Sequence, residues 1–201
     1  MSSSKLIGAI VGLLLVGATG AGAVDFRSEA FVAGNSATST PIGHYEFCRA
    51  SGEECRENEQ LIEAVVLTQP KWDQLLSINA SINVAVAPVT DQDLYGRAEF
   101  WTYPQGAGDC EDYALAKRRA LLEAGWFSST LLIAVVRQKN GEGHAVLLVR
   151  TDRGDLVLDN QDGDIHVWNE TPYTFLKRQS QEDAGRWVAI EDRRTMVASA
   201  H

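Results

Sequence analysis

The chain is short of three things. Cysteine is scarce, with three in 201 residues, so no disulfide framework can stand in for a hydrophobic core. Positive charge is scarce too. Eighteen Lys and Arg face 27 Asp and Glu, for a net charge of −9. That excludes a nucleic-acid binder, because gripping phosphates needs clustered basic side chains. Acidity with many carboxylates is compatible with calcium, but it identifies no substrate. Long apolar runs are also missing. A membrane-spanning helix needs roughly 20 apolar residues, and past Ala23 no such run exists.

The opening segment has the pattern of a secretory signal instead. Lys5 supplies a positive start, Leu6 to Val16 an apolar stretch, and Ala21-Gly22-Ala23 a small-x-small cleavage site. We expect residues 1–23 to be removed and the rest to be periplasmic. Residues 24–201 are enough for one domain with a real core. In an oxidising compartment the odd cysteine count leaves one over. Cys48 and Cys55, in F-C-R-A-S-G-E-E-C, suit a short-loop disulfide. Cys110 is then a lone thiol, a liability unless buried or used.

Residues 24–45 are rich in Ser, Thr, Gly and Ala and read as a flexible N-terminal arm. A domain over 46–190 and a frayed tail over 191–201 follow. Leu61 to Thr68 is compatible with a short helix. Pro70 to Val86 is a stronger one, with Pro70 in the first turn and Trp72, Leu75, Leu76, Asn79, Ile82 and Val86 on one face. Asn79 and Asn83 read as packing residues. Val89 to Gln105 reads as an irregular approach. The next helix spans about Cys110 to Ala124, with Asp109 as N-cap, Glu111 and Asp112 in its first turn, and Gly125 past its end. Three strands then follow: Thr130 to Arg137, His144 to Arg150 after an Asn140-Gly141 turn, and Asp155 to Asp159. A further strand or loop is expected between Trp168 and Trp187. The order is a helix, then an antiparallel meander, which is an α+β arrangement.

Three residues of this pattern carry chemistry. Cys110 opens a helix, where the backbone favours a thiolate. His144 starts a strand beside Gly141 and Gly143, with room to reach a site. Asp159 ends the next strand and can accept the ring N–H of His144, with Asn160 as the rival orienter. Singly, each has a plain explanation: a small buried hydrophobe, a surface histidine, a turn acid. Together they form a cysteine hydrolase constellation. Asp109, Glu111 and Asp112 work against a thiolate by like-charge repulsion. A bound hard cation would relieve that repulsion and fix the loop that aims Cys110. The run D-N-Q-D-G-D over 159–164 lacks EF-hand spacing and reads as a turn.

G-D-C-E-D-Y-A-L-A-K-R, G-E-G-H-A-V-L-L-V and L-V-L-D-N, in that order, resemble the bacterial transglutaminase-like cysteine proteinase family, with its LapG-type periplasmic proteases. The upstream P-K-W-D-Q-L-L-S-I-N-A-S-I-N and Y-G-R-A-E-F-W extend the likeness over most of Phe47 to Val188. The resemblance implies a papain/transglutaminase-like α+β fold, with N-terminal helices packed on an antiparallel β-sheet. It implies Cys110 as nucleophile, His144 as base and Asp159 as orienter. It also implies Ca²⁺ held by acids at Asp109 and Glu111, with Asp112 beside them. It further implies a large surface adhesin as protein substrate, cleaved to control biofilm attachment, and an inner-membrane cyclic-di-GMP receptor as regulatory partner. The Cys110 amide is the expected oxyanion donor, with Trp101 and Gln105 candidates for a second. Transamidation on the same residues and a non-catalytic binding module are the competing readings.

Overall fold

The computed structural model describes residues 30–192 and residue 194. The expected signal segment 1–23 lies outside the described residues. Among the described residues, nine strands and four α-helices follow one another: β1 (Gly34–Thr38), α1 (Ile42–Ala50), α2 (Gln69–Ala85), β2 (Ala87–Pro88), α3 (Asp91–Tyr95), β3 (Ala107–Gly108), α4 (Cys110–Glu123), β4 (Leu131–Arg137), β5 (Gly143–Thr151), β6 (Gly154–Leu158), β7 (His166–Val167), β8 (Thr174–Gln179) and β9 (Trp187–Ile190). Seven strands form one sheet in the order β1-β9-β8-β4-β5-β6-β7. Every pairing in it is antiparallel.

The runs L-L-I-A-V-V in β4 and A-V-L-L-V in β5 do not alternate, and packing explains why. One face of the sheet, with Leu131, Ile133, Leu147, Val149 and Leu158, packs on Leu75, Leu115, Leu121 and Trp126. The opposite face, with Leu132, Ala134, Val136, Val146 and Leu148, packs on Val32, Trp168 and Phe175. Strands buried on both sides need apolar side chains on both sides. Burying a residue such as Leu121 contributes about 1.5–3 kcal/mol.

Helix α4 ends as its sequence signals. Gly125 adopts φ 86°, and the amides of Gly125 and Trp126 donate to the carbonyls of Leu122 and Leu121 at 3.0 Å each. Its start is fixed by a parallel pair, β2 on β3, where Ala87 N–H donates to Gly106 O at 2.8 Å and Val89 N–H to Gly108 O at 3.1 Å. The end of α2 thereby holds the residues just ahead of Cys110.

Four expectations need correcting. Residues 61–68 form no helix. Val65 instead bridges Thr151, its N–H donating to Arg150 O at 3.0 Å, because an extended backbone there satisfies the end of β5. The approach over 89–105 contains α3. The arm expected over 24–45 contains, in its described part, β1 and the start of α1; G-N-S-A-T becomes a strand by pairing with β9. The expected tail over 191–201 is docked at its start, where Asp192 accepts from Phe175 N–H at 3.0 Å and Arg194 donates to Trp168 O at 3.0 Å.

Candidate active site

Cys110 is the first residue of α4, so its thiol sits at the helix N-terminus as expected. It comes to rest against the start of β5. Ala145 N–H donates to Cys110 Sγ at 3.3 Å, and Sγ donates to Glu111 Oε2 at 3.2 Å. Burial pushes the thiol pKa up, and the Glu111 carboxylate pushes it the same way, while the Ala145 amide pulls it down.

The residue before Ala145 is His144, which is buried. Its Nε2 lies 2.8 Å from Asp159 Oδ1. The β5/β6 register, Leu147 opposite Leu158, delivers Asp159 to that spot. His144 Nδ1 faces Gln161 Nε2 at 3.4 Å. Four groups hold Asp159. Its Oδ1 also accepts from Gln161 N–H at 3.0 Å, its Oδ2 accepts from the Tyr173 hydroxyl, and its backbone carbonyl accepts from Asn83 Nδ2 at 2.8 Å. Burial works to raise the Asp159 pKa, but the bonds from His144 and Tyr173 outweigh it and bring it below the usual carboxylate range. Asp159 therefore stays an acceptor for an Nε2–H imidazole, whose Nδ1 carries the lone pair and accepts from Gln161 Nε2. The rival Asn160 does not reach the ring; its Oδ1 is buried without a partner.

A cleft of about 450 Å³ opens onto these groups. Cys110, Glu111, His144 and Ala145 line it together with Trp101 and Lys177. Trp101 lines the cleft, but its Nε1–H donates to Glu99 Oε2 at 3.2 Å. Gln105 is exposed and is not among the lining residues. Of the other histidines, His44 is buried in the core, His166 pairs with Asp162 at 3.3 Å, and His201 lies outside the described residues. Cys48 and Cys55 are joined by a disulfide, leaving Cys110 free.

The acids beside Cys110 divide differently from the expectation. Asp109 and Asp112 gather with Asp91, their ligand-type oxygens all within 4.8 Å of one another. Glu111 turns instead to the sulfur. Residues 109 and 112 are three apart and share a helix face, while 111 points elsewhere. For the same reason Asp109 occupies the N-cap position without capping; its Oδ2 accepts from Asp91 N–H at 3.2 Å. One oxygen from each of the three, Asp91 Oδ1, Asp109 Oδ1 and Asp112 Oδ2, is buried with no hydrogen-bond partner. Burial, with the charges of Asp109 and Asp91, raises the Asp112 pKa to about 7, and burial with Asp109 raises Glu111 to about 9. Three orphaned carboxylate oxygens are a donor set of the kind that could hold a hard cation. Sequence reasoning missed Asp91, Gln161 and Tyr173. None has a local signal, because each reaches the site only through the fold.

A thiol on a helix start, set against the antiparallel strand that carries a histidine paired with a carboxylate, is the arrangement of the transglutaminase-like class. Residues 34–195 match the family described as bacterial transglutaminase-like cysteine proteinase, BTLCP. The chain belongs to that family and is a cysteine peptidase. Among solved structures it is similar to calcium-bound LapG of Legionella pneumophila, at 25 % identity and a TM-score of 0.52, covering 61 % of this chain and 71 % of that one. A second structure of the same protein aligns at 25 % identity and 0.51, over 64 % and 74 %. An EGTA-treated form, at 24 % identity and 0.52 over 64 % and 75 %, bears on the fold alone. No curated protein sequence matches the chain.

Proposed function

We propose that this cysteine peptidase is an endopeptidase that works through Cys110, His144 and Asp159. The observation that carries the reading is the convergence at β5: one residue, Ala145, donates its amide to the sulfur, while its neighbour His144 is held by Asp159 at 2.8 Å. In the reaction, Cys110 Sγ attacks a peptide carbonyl as its proton passes to His144 Nδ1. The imidazolium then protonates the leaving amine. With the amine gone, neutral His144 takes a proton from water, which hydrolyses the thioester and frees Cys110. Asp159 keeps the Nε2–H tautomer throughout. The free amides at the start of α4, that of Cys110 first, face the developing oxyanion.

Asp91, Asp109 and Asp112 would hold Ca²⁺, a reading supported by their orphaned oxygens and by the likeness to calcium-bound LapG. Bound there, the ion would neutralise three carboxylates and stiffen the turn ahead of α4. The family resemblance supports a large surface adhesin as substrate, with biofilm release as the outcome and an inner-membrane cyclic-di-GMP receptor as regulator. The signal-like pattern of residues 1–23 supports a periplasmic setting.

The test is turnover of a quenched-fluorescent peptide library by the purified chain, beside Cys110→Ala and His144→Ala, with calcium and with EGTA. Cleavage lost in both variants and reduced by EGTA is expected. Turnover that survives Cys110→Ala removes the reading. Incorporation of an added amine in place of hydrolysis would make the enzyme a transamidase.

A further inference from the structure

The cleft at Cys110 is lined by a single lysine, Lys177, beside Glu99 and Glu111. Glu111 is turned to the sulfur, and Glu99 accepts from the Trp101 indole N–H. The sheet register fixes where Lys177 lies. Ala145 of β5, whose amide meets the Cys110 sulfur, is opposite Val135 of β4, and Val135 is opposite Lys177 of β8. Cross-strand partners share a face. Val135 packs with the core under α4, so Ala145, Val135 and Lys177 form one row on that side of the sheet. Two strand spacings of about 4.8 Å separate the ends of the row, about 10 Å in all.

Structural duties do not account for this lysine. Strand β8 runs inside the sheet, between β9 and β4, so Lys177 does not guard an edge against stray pairing. Its partners are neutral: Nζ donates to Ser39 O at 2.8 Å and to Ser39 Oγ at 3.2 Å. Among the described residues, those bonds leave one N–H and the whole charge unused. They also pin a side chain that is ordinarily loose. Ser39 lies just ahead of Pro41 and Ile42, which line the same cleft. A cation held in place in advance loses less freedom when it meets a ligand. In a chain of net charge −9, an uncompensated cation in the cleft is suited to an anion.

The occupant of a peptidase cleft is a peptide, so the anion is a carboxylate. An extended peptide advances about 3.3 Å per residue, and about 10 Å is then about three residues. We propose that Lys177 is a specificity-determining residue: its ammonium pairs with an Asp or Glu side chain of the substrate about three residues from the scissile bond. Val135 lies between, so the intervening substrate residues pass over an apolar surface. Glu99 and Glu111 repel acidic side chains elsewhere in the cleft, which confines the preference to one position. The proposal rests on the peptidase reading above.

The test takes a peptide that the chain cleaves, acetylated and amidated to remove its terminal charges. Glu, Gln or Lys is walked along it on both sides of the scissile bond. The readout is the ratio of kcat/KM for the Glu peptide over the Gln peptide, within each of wild type, Lys177→Gln, Lys177→Glu and Lys177→Arg. A ratio cancels any general loss of activity or of folded protein. Wild type should prefer Glu about fivefold at one position, the size of one screened ion pair, and through KM rather than kcat. The preference should vanish in Lys177→Gln, turn to Lys in Lys177→Glu, survive in Lys177→Arg, and shrink in high salt. No Glu preference at any position in wild type overturns the proposal, and so does a preference that Lys177→Gln keeps. If Lys177→Glu does not fold, Lys177→Gln, which keeps donors for Ser39, carries the comparison. Where no peptide is cleaved, iodoacetyl peptides with Glu or Gln about three residues from the iodine alkylate Cys110 without hydrolysis. A faster rate for the Glu probe, lost in Lys177→Gln, leaves this proposal standing while the peptidase reading falls. Cleavage without a Glu preference does the reverse, and equal rates for the two probes remove the proposal.

Discussion

Lowering the pH from 6.5 to about 4 should cost the folded state about 3 kcal/mol through His44 alone. The ring is 1 % exposed, Trp187 Nε1–H donates to its Nδ1 at 3.1 Å, and it stacks edge-on against Trp101 and Trp187. Burial first, and the Arg118 charge second, pull its pKa from 6.5 down to about 4. An unfolded chain takes up a proton at this histidine below 6.5, and the folded chain refuses it until about 4. Between those limits the unfolded state binds more protons, so stability falls as pH falls, by about 1.4 kcal/mol per unit. The total is a large share of a typical margin of about 5–15 kcal/mol. Carboxylates such as Asp159, whose folded pKa is lowered, add acid sensitivity only further down the pH scale. Substituting His44→Gln removes the titration and keeps an acceptor for Trp187. Urea unfolding of both proteins across this pH range, with the disulfide intact and calcium in excess, reads the difference. The variant should show a slope flatter by about 1.4 kcal/mol per pH unit. Parallel slopes would refute the reasoning.

Other perturbations bear on the site and its frame. Tyr173→Phe deletes the hydroxyl that Asp159 Oδ2 accepts; a bond to a charged group is worth about 1.5–3 kcal/mol, so kcat/KM on a peptide substrate should drop roughly ten- to a hundredfold with the fold intact. Asp91→Asn should weaken calcium binding at least about tenfold by calorimetry, while Asp162→Asn, in the exposed group with Asp164 and His166, should leave it unchanged. Gly108→Ala places a Cβ 2.5 Å from Asp112 Oδ2; overpacking of that kind costs about 1–3 kcal/mol, and calcium affinity should fall with Tm. Replacing Cys48 and Cys55 by serine opens a loop whose ends are 7 residues apart and should lower stability by about 2–3 kcal/mol in urea titrations.

The sequence was most readable where local chemistry and tertiary packing agree. Helix α4 has its opening acids and closing glycine, and β4 and β5 have apolar runs around an Asn-Gly turn, so their types and ends stood out. With those elements right, Cys110 falls at the start of α4 against β5, and His144 pairs with Asp159. Readability failed where partners decide. Gly34 to Thr38 has no strand pattern of its own and becomes β1 only against β9. Val65 and its neighbours lose a helix to a bridge with Thr151. Asp91 lies 18 residues from Asp109, and no spacing rule links them; the β2/β3 pair does. Tyr173 and Asn83 reach Asp159 across 14 and 76 residues of chain.

The Asn83 amide that fastens Asp159 comes from α2, the sulfur from α4 and the imidazole from β5. A newly made chain, or one caught half-assembled, therefore carries only a sluggish, ordinary mercaptan. Under the proposed mechanism the thiol gains its paired imidazole only when these pieces dock, so immature copies have little means of injuring one another.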